Sequence, residues 1–130
     1  MIKTFRGHVA DGGEDKIRLS TKKGKIGYKI VKFQTIGKTL GTTVHESTCQ
    51  VWKVPGMSVA AGSIDFSDGN LLAVAFWKSH GDTLAFQHVL FDQEVFNQDI
   101  YVTNQDTGGD STPINYYIEL ELISLSDNAA

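Results

Sequence analysis

A chain of 130 residues suits one domain spanning 1–130, large enough to bury about two-thirds of its unfolded surface without a disulfide or metal staple. Its 41% hydrophobic and 21% charged residues, net charge of −3 and 13 Gly against 2 Pro describe a turn-rich globular protein and not a disordered or strongly basic nucleic-acid-binding chain. No apolar run approaches the roughly 18 residues of a membrane span, no apolar stretch follows Lys3 and Arg6 as in a secretion signal, and the lone Cys49 allows no internal disulfide. The expectation is a soluble chain made in a reducing compartment, with neither nucleic acid nor membrane as partner.

Apolar and polar residues alternate with period two along most of the chain, which predicts strands. The first two, Ile2–Val9 and Glu14–Ser20, flank "ADGGED", where Asp11, Gly12 and Gly13 suit the positive φ of a tight hairpin. In "IGYKIVKFQTI", Ile26, Tyr28 and Ile30 share one parity while Val31 and Phe33 take the other, so a bulge or corner is expected at Ile30–Val31. A fourth strand over Thr43–Val54 stops at Pro55–Gly56. "NLLAVAFWK" is apolar on both parities and reads as a buried strand, or else as a short helix capped by Asp68 or Asn70. "LAFQHVLF", "QDIYVTN" and "INYYIELELISL" bring the count to about eight.

Eight short strands with turn signals every ten or so residues predict an all-β, antiparallel β-sandwich of jelly-roll type, with a closed β-barrel as the alternative. The last strand places Ile114, Tyr116, Ile118, Leu120 and Leu122 on a core face, and Asn115, Tyr117, Glu119 and Glu121 on a wet one. At about 3.3 Å per residue it spans on the order of 40 Å, the width of the whole domain. Beyond Glu121 the wet parity turns apolar at Ile123 and Leu125, so this tip calls for a cover.

Charge is divided unevenly along the chain. Met1–Lys53 carries 11 Lys and Arg against 4 acids, a balance of +7, whereas Val54–Ala130 carries 1 Lys against 11 acids, a balance of −10. Strands from the two halves can interleave and cancel, or stand apart as complementary patches for head-to-tail association.

Catalytic lookalikes fail on spacing. "IGKT" ends like a phosphate-binding loop, but Lys32 stands where the loop needs its first Gly and no helix follows. "GMSVA" has Ala60 in place of the second Gly of a nucleophile elbow. His8, His45, His80 and His88 show no metal-binding spacing, and the Asp-rich turns "DFSDGN" and "DTGGD" do not reproduce a calcium loop. No catalytic residue, metal or cofactor is therefore expected, and the chain reads as non-enzymatic. Trp52, Trp77, Tyr101 and Tyr117 are the aromatics that, if exposed, could stack on a sugar or on a partner.

The segments "MIKTFRGHVADGGEDKIRLSTKKGKIGYKIVKFQ", "IDFSDGNLLAVAFW" and "VLFDQEVFNQDIYVTNQDTGGDSTPINYYIELE" together resemble small virion structural proteins of marine bacteriophages. That resemblance implies a head-associated or decoration protein, present in many copies on the capsid exterior and bridging its subunits, with a tail or baseplate component as the alternative. It implies the major capsid protein as partner, homo-oligomeric association, and a location in the virion after synthesis in the host cytoplasm. It carries no site pattern, so the contact residues come from charge and parity. Arg6, Lys22, Lys23 and Lys25 are expected to meet an acidic shell, Glu119 and Glu121 to serve contacts between copies, and Tyr117 to add an interaction residue on the same wet face. A carbohydrate-binding sandwich for host adhesion is the alternative from a different class.

Overall fold

The computed structural model of the chain describes residues 2–19, 26–37, 44–57, 64–80, 86–107 and 112–124. Its eight strands are β1 (Ile2–Val9), β2 (Glu14–Ile17), β3 (Ile26–Gly37), β4 (Val44–Trp52), β5 (Leu71–His80), β6 (Phe86–Phe91), β7 (Ile100–Asp106) and β8 (Ile114–Ser124). The doubly apolar run at 71–80 is thus a strand and not a helix. Its both-sided hydrophobicity has a physical cause, since Ala73, Ala75 and Trp77 enter the core while Val74, of the opposite parity, is buried as well.

The strands form two antiparallel sheets, ordered β1-β8-β3 and β2-β7-β4-β5-β6. They stack as a sandwich, and β1, β3, β2 and β6 remain edges, so the barrel alternative is excluded. In an eight-stranded jelly roll the pairs nest: first with last, second with seventh, third with sixth, fourth with fifth. Three of these pairs are present here. The exception is β6, which pairs with β5 at the far edge of the larger sheet. All that remains beside β3 is an isolated bridge, in which Tyr28 and Phe96 exchange N–H···O bonds of 2.7 and 2.8 Å. Their rings stack with centroids 6.3 Å apart. The expected phase change in β3 is a register shift between Ile30 and Lys32. A bulged edge carrying Lys29 and Lys32 makes a poor template for another strand.

The hairpin expected around "ADGGED" is replaced by a corner. Gly12 adopts the anticipated positive φ of 75°, but β1 pairs with β8 in one sheet and β2 with β7 in the other. Turn chemistry reports that the chain reverses, and the partner strand decides where it goes. Asn104 Nδ2 secures the corner by donating to the Val9 carbonyl at 3.2 Å and the Thr112 carbonyl at 3.3 Å.

The core lies between the sheets. Ile114, Ile118 and Leu120 of β8 and Ile30 and Phe33 of β3 meet Cys49 and Val51 of β4 and Ile100 and Val102 of β7. Each such aliphatic side chain contributes roughly 1.5–3 kcal/mol on burial. Burial also pushes the Cys49 thiol far above its ordinary pKa, which keeps it protonated and unreactive.

Candidate docking face of the three-stranded sheet

The two sheets treat their outer faces differently. On the five-stranded sheet the outward side is enclosed at Gln50, Val74 and Thr103, and Trp52 is only 2% exposed, its Nε1–H donating to Thr103 Oγ1 at 2.9 Å, whereas His88 and Leu90 on the β6 edge are exposed. Chain leaving β4 runs toward β2, where the N–H groups of Gly56 and Met57 donate to Glu14 Oε1 at 2.9 and 3.3 Å. In the three-stranded sheet, by contrast, the outward residues of β1 are exposed and those of β8 are exposed or half-buried, so its outer face is open.

Register arranges that open face in four rows across β1, β8 and β3. They are Ile2–Glu121–Lys29, Thr4–Glu119–Lys32, Arg6–Tyr117–Gln34 and His8–Asn115–Ile36. The first two rows are charged. Lys29 Nζ lies 3.9 Å from Glu121 Oε1, and Glu119 Oε2 accepts the Tyr117 hydroxyl at 2.7 Å. That hydrogen bond raises the Tyr117 pKa, because ionising the phenol would set two anions side by side. Lys32 Nζ stands 5.8 Å from the centroid of the same ring, within the range of a cation–π contact. The last two rows open into a groove of about 510 Å³ lined by Arg6, His8, Gln34, Ile36, Asn115 and Tyr117.

Of the contact residues expected from sequence, Arg6, Tyr117, Glu119 and Glu121 therefore share one face. Lys22, Lys23 and Lys25 lie outside the described residues. Lys29 and Lys32 were missed, although the phase change at Ile30 carries the signal: only a bulge returns both lysines to the outward side. The anticipated interleaving of charge also occurs, since acidic β8 runs between basic β1 and β3. The tip residue Ile123 is half-buried, and Leu125 lies outside the described residues.

The aromatic expectations divide. Trp77 is buried in the core and Trp52 on the outer side of the five-stranded sheet, Tyr101 is half-buried with Lys16 Nζ 5.9 Å from its ring centroid, and Tyr117 lines the groove. Among the described residues the most exposed large apolar side chain is one that sequence did not single out, Phe66 at 69%. Residues Ala60, His45 and His80 contribute no described side chain, while His8 and His88 are exposed. Among the described residues no three His, Cys, Asp or Glu side chains gather as metal ligands, and no helix is long and apolar enough to cross a membrane.

No protein-family model matches this chain, and no curated protein matches it either.

Proposed function

We propose that the chain is a non-enzymatic virion structural protein, a decoration protein that binds the head exterior in many copies and bridges subunits of the major capsid protein. The observation that carries this reading is the open face of the three-stranded sheet, patterned in charge and accessible across all three of its strands. A surface held by sheet hydrogen bonds on both sides of β8 loses little conformational freedom on docking, which favours repeated, identical contacts. Lys29, Lys32 and Arg6 supply positive charge toward an acidic shell, together with the sequence neighbours Lys22, Lys23 and Lys25. Binding to the assembled lattice alone would stabilise the lattice by mass action, with no reaction to catalyse.

The combined charge reversal Arg6→Glu and Lys32→Glu tests this reading on purified heads of the encoding phage. Binding should weaken at least tenfold and lose most of its salt dependence, because long-range attraction between exposed charges is what salt screens. Unchanged binding across a salt series would contradict it.

Placement at the tail or baseplate would use the same face against a different acidic surface. A sugar-binding role would have to use the Tyr117 groove, because Trp52 and Trp77 cannot present their rings to a glycan.

A further inference from the structure

A second accessible surface lies on the other side of the sandwich. Leu90 of β6 pairs with Val74, on the parity opposite Val89 and Phe91, which pack against the core. Its side chain therefore points away from the three-stranded sheet. Phe66 and Leu90, exposed by 69% and 58%, line one concavity of about 460 Å³ together with Leu71, Asp68, Asp92 and Glu94. Ile64 and Val95, close in sequence to this lining, are exposed as well. Contiguous apolar surface rimmed by charge marks an interaction site on a soluble domain.

The rim is acidic. Lys53 Nζ neutralises Glu94 at 2.5 Å, but among the described residues no salt bridge reaches Asp68 or Asp92 of the lining. Asp65, next to Phe66 in sequence, adds a further carboxylate whose hydrogen bonds from the Ser67 hydroxyl and N–H, at 2.6 and 2.9 Å, lower its pKa. The groove on the three-stranded sheet has the opposite character. Arg6 and His8 stand on its β1 side, no acid lines it, and its apolar part is the Tyr117 ring and Ile36, which is 55% exposed.

We infer that this protein associates head to tail, the apolar, acid-rimmed patch around Phe66 and Leu90 of one copy seating in the Arg6–His8–Ile36–Tyr117 groove of the next. Apolar surface meets apolar surface, acids meet Arg6 and His8, and the two surfaces face away from each other within one copy, so neither can satisfy the other internally. Such a heterologous contact propagates until it closes in a ring or continues as a filament. It uses the groove rows of the open face and leaves the Lys29 and Lys32 rows for another partner, with Arg6 at the border. Association of the purified chain needs no capsid, so it stands or falls separately from the virion reading.

The test is sedimentation velocity of the purified full chain over a concentration series at low and high salt, with two variants at exposed positions, Phe66→Asp in the patch and Ile36→Glu in the groove. The wild type should associate with rising concentration, less so at high salt, and each variant alone should weaken association at least tenfold. Mixing the variants leaves one intact interface per pair, so the mixture should form a heterodimer and nothing larger. Leu90→Asp and His8→Glu repeat the design at independent positions, with thermal unfolding checking that every variant is folded. A wild type that stays monomeric throughout would overturn the inference. So would a variant of either surface that associates like the wild type, or a folded mixture that yields no heterodimer.

Discussion

Tyr116 and Asp15 join the two sheets of the sandwich: the Tyr116 hydroxyl, carried by β8, donates a hydrogen bond to Asp15 Oδ2 on β2. The tyrosine reaches across because its register partner on β1 is Gly7. A Cβ built there would lie 2.6 Å from the Tyr116 hydroxyl oxygen and 2.7 Å from its ring carbons. Burial, and then the Asp15 carboxylate, drive the phenol pKa far above its ordinary value, which favours the neutral, donating form. Tyr116→Phe should cost about 1–3 kcal/mol in denaturant unfolding, the usual cost of leaving a partly buried acceptor unmatched. Gly7→Ala should cost a similar amount through overpacking. Gly7→Ala should cost much less in a Tyr116→Ala background than in the wild type, because removing the ring removes the clash, so the losses of Gly7→Ala and Tyr116→Ala should not add in the double variant. Full additivity would contradict the contact.

Asp106 closes the end of the sandwich where β7 turns toward β8. Its Oδ1 accepts the Glu46 N–H at 3.1 Å and its Oδ2 the Thr112 N–H at 2.6 Å. Asp106→Ala strands two backbone donors and should cost about 2–4 kcal/mol, whereas Asp106→Asn keeps one acceptor and should cost less. Chemical denaturation of the two variants gives that ranking, and equal stabilities would contradict it.

Asp99 should leave a signature in the acid limb of stability. The Leu19 N–H donates to its Oδ1 at 2.8 Å, and Lys16 Nζ is 3.4 Å from Oδ2. These contacts, the backbone hydrogen bond foremost, hold its pKa below the ordinary 3.8. The unfolded chain then binds more protons in that window, so the contribution is complete above pH 3.8 and is lost as pH falls through the lower folded value. Asp99→Ala should lose about 1 kcal/mol at neutral pH, a figure reduced for partial exposure, and its stability should fall less steeply on acidification. A variant with the wild-type slope below pH 4 would contradict the assignment.

Glu121 lies at the other extreme. Its pairing with Lys29 is long at 3.9 Å and solvent-accessible, so Glu121→Gln should shift stability by less than about 0.5 kcal/mol. Its effect belongs in docking, where it alters the charge pattern of the open face. A stability loss above about 1 kcal/mol would mark it as structural instead.

The parity of β8 was fully legible in sequence because period two and a half-buried strand impose the same pattern. The β3 bulge could be read for the same reason, since its apolar residues change phase at Ile30. Partner choice was not legible: "ADGGED" signals reversal equally well for a hairpin and for a corner between sheets, and only the pairing of β2 with β7 distinguishes them. The move of β6 to the β5 edge likewise depends on long-range register, not on local pattern. Trp52 carries outward parity and is nonetheless buried, because chain beyond β4 crosses that sheet. Phe66 lies in a turn beside Asp65 and Asp68, with no periodicity to mark it, and it joins an apolar surface only through Leu90, which is distant in sequence.

The proposed decoration role rests on incorporation of this chain into a virion in many copies, and the measurement to make is its copy number per purified particle, by quantitative mass spectrometry against the major capsid protein. Hundreds of copies in simple ratio to the shell protein are expected, since closed symmetry fixes such stoichiometry. Complete absence of the chain from purified particles would contradict it.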